Sequence, residues 1–224
     1  MSPDGPDRRL TSLLAAILLA AFSFAVFTDL GASGLLGPDE PRYAAIGREM
    51  AESGDWITPR LNGKPWYEKP PLLYWLTAAG FLAGLDADTA PRAPVAVLSL
   101  LALTGWFLLL CALESAAVAL ASMAILATTA GWTALSMVGV TDLPLAACFG
   151  LALGFGVYAA GKQADWSAAA SGLWLGLAML AKGLVPLVLI LPFVLWARRR
   201  RRMLLVMALC AGAIATPWYL AMTA

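Results

Sequence analysis

Long apolar segments dominate this chain and constrain its fold more than any other feature. Eight can be drawn, at about residues 10–30, 71–85, 91–113, 115–140, 141–161, 167–181, 183–197 and 203–221. The first would form a helix about 31 Å long, which is enough to cross the hydrocarbon core of a bilayer. Hydrophobic residues make up 61% of the 224 residues, far above the average for soluble domains. The sequence therefore predicts an all-α, multi-pass transmembrane helical bundle.

Basic residues indicate how this bundle is oriented. Arg8 and Arg9 precede the first segment, which we predict to be an uncleaved span rather than a signal peptide, because no clear cleavage site follows. The positive-inside rule then places the N-terminus in the cytoplasm. If all eight segments crossed, the run Arg198–Arg202 would fall outside, against the same rule. Either a short segment such as 71–85 is not a full crossing, or 115–140 makes two short ones.

The same parity predicts which polar residues share a face of the membrane. With the arginine run inside, Lys162 lies inside, whereas Asp142 and Lys182 lie outside. The loop at about residues 31–70, between the first two segments, lies outside as well. Two isolated charges and one long polar loop are therefore predicted to meet at the outer surface.

That loop holds most of the chemistry that the chain can offer. Eleven of the 29 charged residues lie between positions 38 and 70, six acidic and five basic. Apolar residues recur there at helical spacing, at Tyr43, Ile46 and Met50. Pro41 falls in the first turn of this predicted helix and Ser53-Gly54 ends it. We expect a short amphipathic helix at the outer membrane surface.

Several classes of function are excluded by what the sequence lacks. It has no histidine, so neither a histidine-based catalytic triad nor a histidine-ligated zinc or haem site can be built from it. Cys111, Cys148 and Cys210 lie far apart in apolar stretches and are predicted to be small buried hydrophobes. The formal net charge of +1 provides no field that would attract nucleic acid. No nucleotide-binding glycine motif is present.

Ionisable groups beside apolar segments are the remaining candidates for function. Asp39 begins the amphipathic helix and Asp142 begins a later one, so each is either a helix cap or a site carboxylate. Lys69 stands just where the chain enters lipid, and Lys182 interrupts an apolar stretch. Snorkelling to the headgroups is the simple explanation for Lys69. The alternative is that these cations bind a lipid phosphate at the outer surface.

Three loop strings make the chain resemble a known family. They are Asp39-Glu40-Pro41-Arg42-Tyr43, Gly54-Asp55-Trp56-Ile57-Thr58-Pro59-Arg60-Leu61-Asn62-Gly63 and Tyr67-Glu68-Lys69-Pro70-Pro71-Leu72-Leu73-Tyr74-Trp75. Together they closely resemble the first periplasmic loop of glycosyltransferase family 39, of the GT-C superfamily. Within it the chain looks most like the bacterial branch of lipid A 4-amino-4-deoxy-L-arabinose transferases, related to protein O-mannosyltransferases. Later pieces agree in order: Thr141-Asp142-Leu143-Pro144-Leu145, Leu180-Ala181-Lys182-Gly183 and Thr216-Pro217-Trp218-Tyr219.

The resemblance implies both a fold and a reaction. The fold would be a GT-C transmembrane bundle with short juxtamembrane helices in the outer loop, residues 1–224 being its N-terminal part. The reaction would be inverting transfer of a pentose or hexose from a polyprenyl-phosphate donor to a lipid A-like or protein acceptor. It would take place on the periplasmic face of the bacterial inner membrane.

The resemblance also assigns roles to individual residues. Asp39 and Asp142 would be the catalytic carboxylates. Substrate and phosphate binding would fall to the other five members of the predicted site, Arg42, Tyr43, Glu68, Lys69 and Lys182.

Two departures from the family bear on these expectations. Members of this branch are more than twice as long, so we expect the chain to continue beyond residue 224. The histidine-bearing stretch that would pair with Glu68 at a divalent metal is absent, so no cofactor is firmly predicted and Glu68 is the sole metal candidate. Two alternatives stay open: a transporter or flippase of a lipid-linked substrate, and an inactive membrane scaffold.

Overall fold

A computed structural model describes residues 8–222 of the chain, without the side chain of Arg8. Eleven helices and one short hairpin make up this part. In chain order they are α1 (Arg8–Phe27), α2 (Asp39–Ser53), β1 (Arg60–Leu61), β2 (Lys64–Pro65), α3 (Leu72–Leu82), α4 (Ala93–Leu113), α5 (Ala116–Thr128), α6 (Ala130–Ser136), α7 (Asp142–Lys162), α8 (Asp165–Lys182), α9 (Val185–Leu189), α10 (Leu191–Trp196) and α11 (Arg201–Ala221). The predicted all-α class is confirmed.

Helix length and composition confirm a multi-pass membrane protein. Within residues 8–222, four helices are long and apolar enough to cross a bilayer, namely α1 (from Arg9), α4, α7 and α11. The pair α5 and α6 would be a fifth span, bent by 65°. The exposed surfaces of these helices are rich in leucine, isoleucine and phenylalanine, as lipid-facing surfaces are.

The bundle has two ends, which we name the loop end, where residues 31–70 lie, and the arginine end, where Arg198–Arg202 lies. Three hydrogen bonds place chain segments at the loop end. Arg92, before α4, donates to the carbonyl of Leu30, after α1, at 2.7 Å. The N–H of Gly139, after α6, donates to the Glu40 carboxylate at 2.7 Å. Near the finish of α11, the indole N–H of Trp218 donates to the Ile57 carbonyl at 2.9 Å.

These positions decide which apolar segment does not cross. Helix α3 has only 11 residues, about 16 Å of helix, and the chain is back at the loop end by Arg92. The chain therefore runs between the two ends seven times: once each in α1, α4, α7, α8 and α11, and once each in the pairs α5–α6 and α9–α10. The prediction that one nominal segment is not a full crossing is confirmed, and it is 71–85. Six runs precede Arg198–Arg202, so this run shares an end with Arg9.

Two predicted continuous segments are broken helices. Segment 183–197 divides into α9 and α10, because Pro186 and Pro192 each lie in a first turn and start a new helix. Segment 115–140 breaks at Thr129, whose ψ of 119° is extended, so α6 departs from the axis of α5. Both breaks interrupt runs whose hydropathy alone suggests one helix.

The amphipathic helix α2 forms as predicted but is placed differently. It ends at Ser53 and is capped by Gly54, which has a φ of +70° and whose N–H donates to the carbonyl of Met50 at 3.0 Å. Its apolar face, expected at the membrane surface, is instead buried against α3, with Tyr43 and Ile46 at most 2% exposed. Gly47 permits this approach, since a Cβ there would lie 2.4 Å from Cγ2 of Thr77. The loop helix is thus part of the protein core.

A hairpin that the sequence did not predict follows α2. Arg60 pairs with Pro65 and Leu61 with Lys64, in antiparallel register. The turn residues Asn62 and Gly63 both have positive φ, as the tight turn of a hairpin requires. Their two N–H groups donate to the Glu49 carboxylate of α2 at 2.6 and 3.0 Å. The hairpin is therefore held to α2 and fixes the path of the loop.

Helices α7, α8 and α11 form the tightest part of the bundle. Ser171 and Ser167 of α8 donate hydrogen bonds to carbonyls of α7 at 2.6 and 2.7 Å, a common link between membrane helices. Cys148 is buried, as predicted for a small hydrophobe, whereas Cys111 and Cys210 are only half-buried. This rigid packing sets the positions of Asp142 and Lys182, which lie at its loop end.

Candidate functional site

Four charged side chains form a continuous row of ion pairs on the surface of the loop end. Nη1 of Arg42 is 3.4 Å from Oδ1 of Asp39, one turn away on α2. The same nitrogen donates to Oε2 of Glu68 at 3.0 Å, and Nζ of Lys69 lies 3.3 Å from Oε1 of Glu68. The loop that follows the hairpin thus returns to the first turn of α2. Positive and negative groups alternate along the chain of contacts.

A second ion pair lies at the same end of the bundle. Nζ of Lys182, in the last turn of α8, donates to Oδ1 of Asp142, in the first turn of α7, at 2.7 Å. The two helices run antiparallel, so their adjacent ends carry opposite charges. Because α7 and α8 pack tightly, this pair has a fixed place. The prediction that Asp142 and Lys182 lie on the face of the charged loop is confirmed.

One close approach connects the Asp142–Lys182 pair to the ion-paired side chains of the loop. A Cβ placed on Gly183, which caps α8 with a φ of +70°, would lie 4.0 Å from Cγ of Pro70. Burial is the main cause that raises the pKa of Tyr43 to about 12, and the charges of Asp39, Glu68 and Asp142 raise it further. Pro70 directly follows Lys69, and Gly183 directly follows Lys182, so the two groups of ion pairs are neighbours at the loop end. The structure brings together the six charged members of the predicted site.

Tyr43 itself is placed differently from the charged members. Its side chain is buried beneath them, with its ring centroid 5.9 Å from that of Tyr74. Its present contacts are therefore with protein. With a pKa near 12, the phenol stays neutral at physiological pH. The binding role expected for Tyr43 remains a prediction.

The simple structural explanations for the two aspartates do not account for their contacts. Pro38 occupies the N-cap of α2 and Thr141 that of α7, and neither helix has a side-chain cap bond. Asp39 and Asp142 instead contact cations, although both also benefit from the positive end of a helix. Lys69 is about 29% exposed and contacts Glu68, so it is held by protein rather than extended toward lipid.

The arrangement can exchange partners at small cost. The side chains of Asp39 and Asp142 are 54% and 51% exposed, and those of the three cations are near 30%. Ion pairs at this exposure contribute about 0–1 kcal/mol to stability. A phosphate that offered several acceptor oxygens would therefore compete well for the three cations. The site is chemically suited to an anion at the membrane boundary.

A buried ion pair beneath this surface was missed by the sequence interpretation. Nε and Nη2 of Arg92 donate to the two oxygens of Glu40 at 2.7 and 2.8 Å, and both side chains are at most 1% exposed. Arg92 also donates to the carbonyls of Leu30 and Gly34. In the sequence, Glu40 stands out only as part of the motif that begins at Asp39. The one sequence signal for Arg92 is its place immediately before an apolar segment.

Glu40 is ionised in the fold despite its burial. Burial raises the pKa of its carboxyl, but hydrogen bonds from Arg92 and from the N–H groups of Gly139 and Leu36 outweigh it, so the pKa lies below its ordinary value. These bonds join three separate parts of the chain. The pair thereby fixes the first turn of α2, which carries Asp39, and the approach to α7, which carries Asp142.

Tryptophans tether the loop and supply free donors below the site. The indole N–H of Trp75 donates to the Trp56 carbonyl at 2.7 Å, and the guanidinium of Arg42 lies 5.6 Å from the ring centroid of Trp66. In the described residues, the indole N–H groups of Trp66 and Trp132 and the hydroxyl of Tyr74 are buried without a hydrogen-bond partner. These aromatic residues pack in one cluster with Tyr43.

The residues in place do not fit a metal site. Glu68 is the one predicted ligand, and both its oxygens face cations, Arg42 and Lys69. Within residues 8–222, no group of three acidic or thiol side chains is arranged to hold a metal ion. We therefore derive no chemical step through a metal.

Relatives of known identity share this region of sequence. The chain is 33% identical over 223 residues to the undecaprenyl phosphate-alpha-4-amino-4-deoxy-L-arabinose arabinosyl transferase of Pseudomonas savastanoi pv. phaseolicola, covering 92% of this chain and 41% of that protein. The transferase of the same name from Pseudomonas paraeruginosa is 31% identical over 231 residues, covering 93% and 40%. The chain thus spans about two-fifths of the length of these relatives.

Solved structures show the same fold. The crystal structure of ArnT from Cupriavidus metallidurans in the apo state matches with a TM-score of 0.81 at 29% identity, over 93% of this chain and 41% of that one. The structure of the same protein bound to undecaprenyl phosphate matches with a TM-score of 0.82 at 27% identity, over 97% and 42%. The predicted GT-C membrane fold is confirmed.

A family model supplies the assignment. The model of dolichyl-phosphate-mannose-protein mannosyltransferases matches residues 68–221, which are 154 of the 224 residues. This range begins at Glu68 and includes Lys69, Asp142 and Lys182. The chain therefore belongs to the dolichyl-phosphate-mannose-protein mannosyltransferase family of membrane glycosyltransferases.

Proposed function

We propose that this chain carries the donor site of a membrane glycosyltransferase that moves a sugar from a polyprenyl-phosphate donor to a lipid A-like acceptor. The relatives named above point to undecaprenyl phosphate as the carrier and 4-amino-4-deoxy-L-arabinose as the sugar. A protein acceptor is the alternative that the family name itself suggests. The observation that carries the proposal is the meeting of Arg42, Lys69 and Lys182 with three carboxylates at one membrane boundary.

The three cations would bind the phosphate that leaves during transfer. Breaking the bond between the anomeric carbon and the phosphate oxygen leaves negative charge on that oxygen. Cations fixed before the reaction stabilise such charge most effectively, because they need no reorganisation. Lys69 and Lys182 provide point charges, while the Arg42 guanidinium can donate two parallel hydrogen bonds to one phosphate. Their present carboxylate partners would be released as the phosphate binds.

Asp39 is placed to act on the acceptor. It is the most exposed carboxylate of the site and shares Nη1 of Arg42 with Glu68. If the acceptor is a hydroxyl, Asp39 takes its proton as the oxygen attacks the anomeric carbon with inversion. If the acceptor is a phosphate, it attacks without a base, and Asp39 orients the donor or stabilises positive charge at the anomeric carbon. Before the donor phosphate binds, Asp142 holds Lys182 in place.

The unpaired aromatic donors support a sugar as the transferred group. Trp66, Tyr74 and Trp132 present buried N–H and O–H groups without hydrogen-bond partners in the described residues. Sugars are bound by such combinations of aromatic surface and polar donors, since each hydroxyl needs a partner when it leaves water.

Replacing Asp39 by Asn tests the catalytic assignment. We expect transfer to fall by about 100-fold or more in membranes that hold the chain, a labelled undecaprenyl-phosphate sugar and lipid A. The matched control is Glu52→Gln, which neutralises an exposed carboxylate at the other end of the same helix and should leave transfer unchanged. Comparable turnover by the Asp39→Asn variant and the parent would remove Asp39 from the mechanism.

We further propose that the site faces the periplasm across the bacterial inner membrane. The parity of the seven runs and the positive charge of the arginine end support this orientation. Cysteines at Lys64 and Arg199, each placed singly in a variant whose native cysteines are serine, provide a matched test. An impermeant maleimide added to intact spheroplasts should label position 64 and spare position 199. The opposite pattern would reverse the orientation.

A transporter or flippase is supported less well. Charges that bind a transported substrate are expected near the bilayer midplane, on broken helices of two matching halves. Here the paired charges lie at helix ends, and the chain belongs to a family of transferases.

A further inference from the structure

A second charged region lies at the arginine end, far from the proposed donor site. An open cavity of about 270 Å³ lies there between the C-terminal end of α7, the first turns of α8 and α11 and the connection before α11. Arg199, Arg200, Arg201 and Arg202 all line it, together with Gln163 and Asp165. Four positive charges and one negative charge leave a net lining charge of +3. Basic residues thus surround a hollow between membrane helices.

The start of α11 adds positive potential to this cavity. Arg200 is its N-cap, the helix has no side-chain cap bond, and its first turn contains no acidic residue. The first N–H groups of a helix carry partial positive charge and need acceptors, which is why acidic residues are favoured there. Here arginines occupy the cap and the first turn instead. Such an arrangement is unfavourable for the protein alone and becomes favourable when an anion binds.

The carboxylate in the cavity meets only part of this requirement. Oδ2 of Asp165 lies 2.5 Å from Nη2 of Arg202. Both side chains are largely exposed, at 56% and 82%, so the pair is weak and can exchange partners. The positive-inside rule explains why basic residues lie at this end, but it requires only their number in the connection. It does not explain a concave site shared by three helices.

The remaining lining and surroundings identify the class of anion. Ala159, Ala168 and Met203 give the cavity an apolar side. Trp166 and Trp196, adjacent in sequence to the cavity, are 62% and 66% exposed, as expected for tryptophans at headgroup level. Basic pockets between membrane helices bind lipid headgroups with phosphate groups. An apolar side has no use for a free inorganic ion but suits the glycerol and acyl chains of a lipid.

We propose that this cavity binds the phosphodiester headgroup of an acidic phospholipid. The guanidinium groups of Arg199 and Arg200 donate to the phosphate oxygens, and the first N–H groups of α11 donate to the same anion. Gln163 is positioned in the lining to contact headgroup hydroxyls. The acyl chains extend from the open mouth of the cavity into the adjacent leaflet, beside the exposed Trp166 and Trp196. This site is independent of the donor site and does not require sugar transfer.

Native mass spectrometry of the chain in detergent tests the proposal, with phosphatidylglycerol, phosphatidylcholine and inorganic phosphate as separate probes. We expect phosphatidylglycerol to bind about tenfold more tightly than phosphatidylcholine, a difference of about 1.4 kcal/mol, because basic residues near the headgroups attract anionic lipids. Equal binding of the two lipids would overturn the proposal. Inorganic phosphate that bound as tightly as phosphatidylglycerol would show that the site takes a free anion and that the lipid assignment is wrong.

Charge-removing variants distinguish lipid binding at a defined site from non-specific attraction by positive charge. Arg199→Gln/Arg200→Gln should weaken phosphatidylglycerol binding by about tenfold, whereas Arg48→Gln/Lys64→Gln, which removes two exposed charges at the loop end, should not change it. Equal losses in both variants would mean delocalised attraction and would overturn the proposal. Asp165→Asn should strengthen binding, because it removes the competing carboxylate from Arg202.

One further variant guards against altered insertion. Arg199→Lys/Arg200→Lys keeps the charge that orients the chain but loses the forked donors that fit a phosphate. We expect correct labelling at a cysteine replacing Lys64, together with phosphatidylglycerol binding about threefold weaker than that of the parent. Binding equal to the parent in this variant would show that geometry is irrelevant and would contradict a defined phosphate site.

Discussion

Asp39 and Glu40 are neighbours in the sequence, but the fold gives them opposite environments. The Asp39 side chain is 54% exposed and shares Arg42 with Glu68. Glu40 is fully buried, where it accepts two hydrogen bonds from Arg92 and others from two N–H groups. The first turn of α2 thus directs one carboxylate outward and the next into the protein. The buried pair fixes the first turn of α2, and the ion pairs above it remain accessible at the surface.

Removing the arginine of the buried pair should have the largest effect. Arg92→Met would leave the Glu40 charge buried without its cation, which typically costs about 3–5 kcal/mol of unfolding free energy. Denaturant unfolding in mild detergent, followed by tryptophan fluorescence, measures this loss. Should Arg92→Met prevent folding, Arg92→Lys keeps the charge but loses the fork, and we expect a loss of about 1–3 kcal/mol. A loss below about 0.5 kcal/mol in both variants would show that the pair does not hold the loop.

The buried Glu40 carboxyl should make the stability of the fold depend on pH. Because folding lowers the Glu40 pKa, its contribution is fully present above the ordinary value of 4.5 and is lost as the pH falls through the lower folded value. Glu40→Gln should cost about 1.5–3 kcal/mol at pH 7, the range for hydrogen bonds to charged groups, and progressively less below pH 4.5. Unfolding midpoints measured from pH 7 to 3.5 provide the comparison. A stability difference that stayed constant with pH would exclude this linkage.

Lys69 belongs to the exposed ion pairs, so its replacement should affect ligand binding more than stability. Lys69→Met should weaken binding of undecaprenyl phosphate by about tenfold, through loss of one charge-assisted contact worth about 1.5 kcal/mol. Its unfolding free energy should change by less than about 1 kcal/mol, because its pair with Glu68 is partly exposed. Titration of the detergent-solubilised chain with the lipid measures binding, with Lys64→Met as control. Unchanged affinity would favour a structural role for Lys69.

The smallest effect on stability should come from the pair at the ends of α7 and α8. Asp142→Asn and Lys182→Met should each change the unfolding free energy by about 0–1 kcal/mol, since their side chains are 51% and 30% exposed. A double-mutant cycle measures the coupling between them. A coupling above about 2 kcal/mol would place this pair in the same class as Glu40 and Arg92. It would then be a structural element rather than an exchangeable part of the donor site.

Sequence patterns predicted the path of the chain better than the form of its helices. The charge of Arg198–Arg202 required one apolar segment to be a partial crossing, and α3 is that segment. Hydropathy averages over a window, so it did not register that Pro186 and Pro192 divide segment 183–197. The prolines were visible in the sequence, and their effect on helix hydrogen bonding provides a signal that could have predicted the break.

The candidate site was predicted to a similar extent and for a similar reason. Motifs placed Asp39, Lys69 and Lys182 at segment ends, where a charge has few explanations other than function or anchoring. Arg92 also stands at a segment end, but no local pattern reveals that its partner lies 52 residues earlier in the sequence. Long-range pairing depends on how helices pack, which a linear pattern does not contain.

By itself, the sequence determined that this chain crosses the membrane repeatedly and that its charges gather at the two ends, because apolar length and charge placement act through the bilayer at every position. Only the tertiary structure decided which charges are sealed and which are accessible. The burial of Glu40 and the exposure of Asp39 follow from the close packing of α2 on α3, and such packing arises from shapes that meet across the fold.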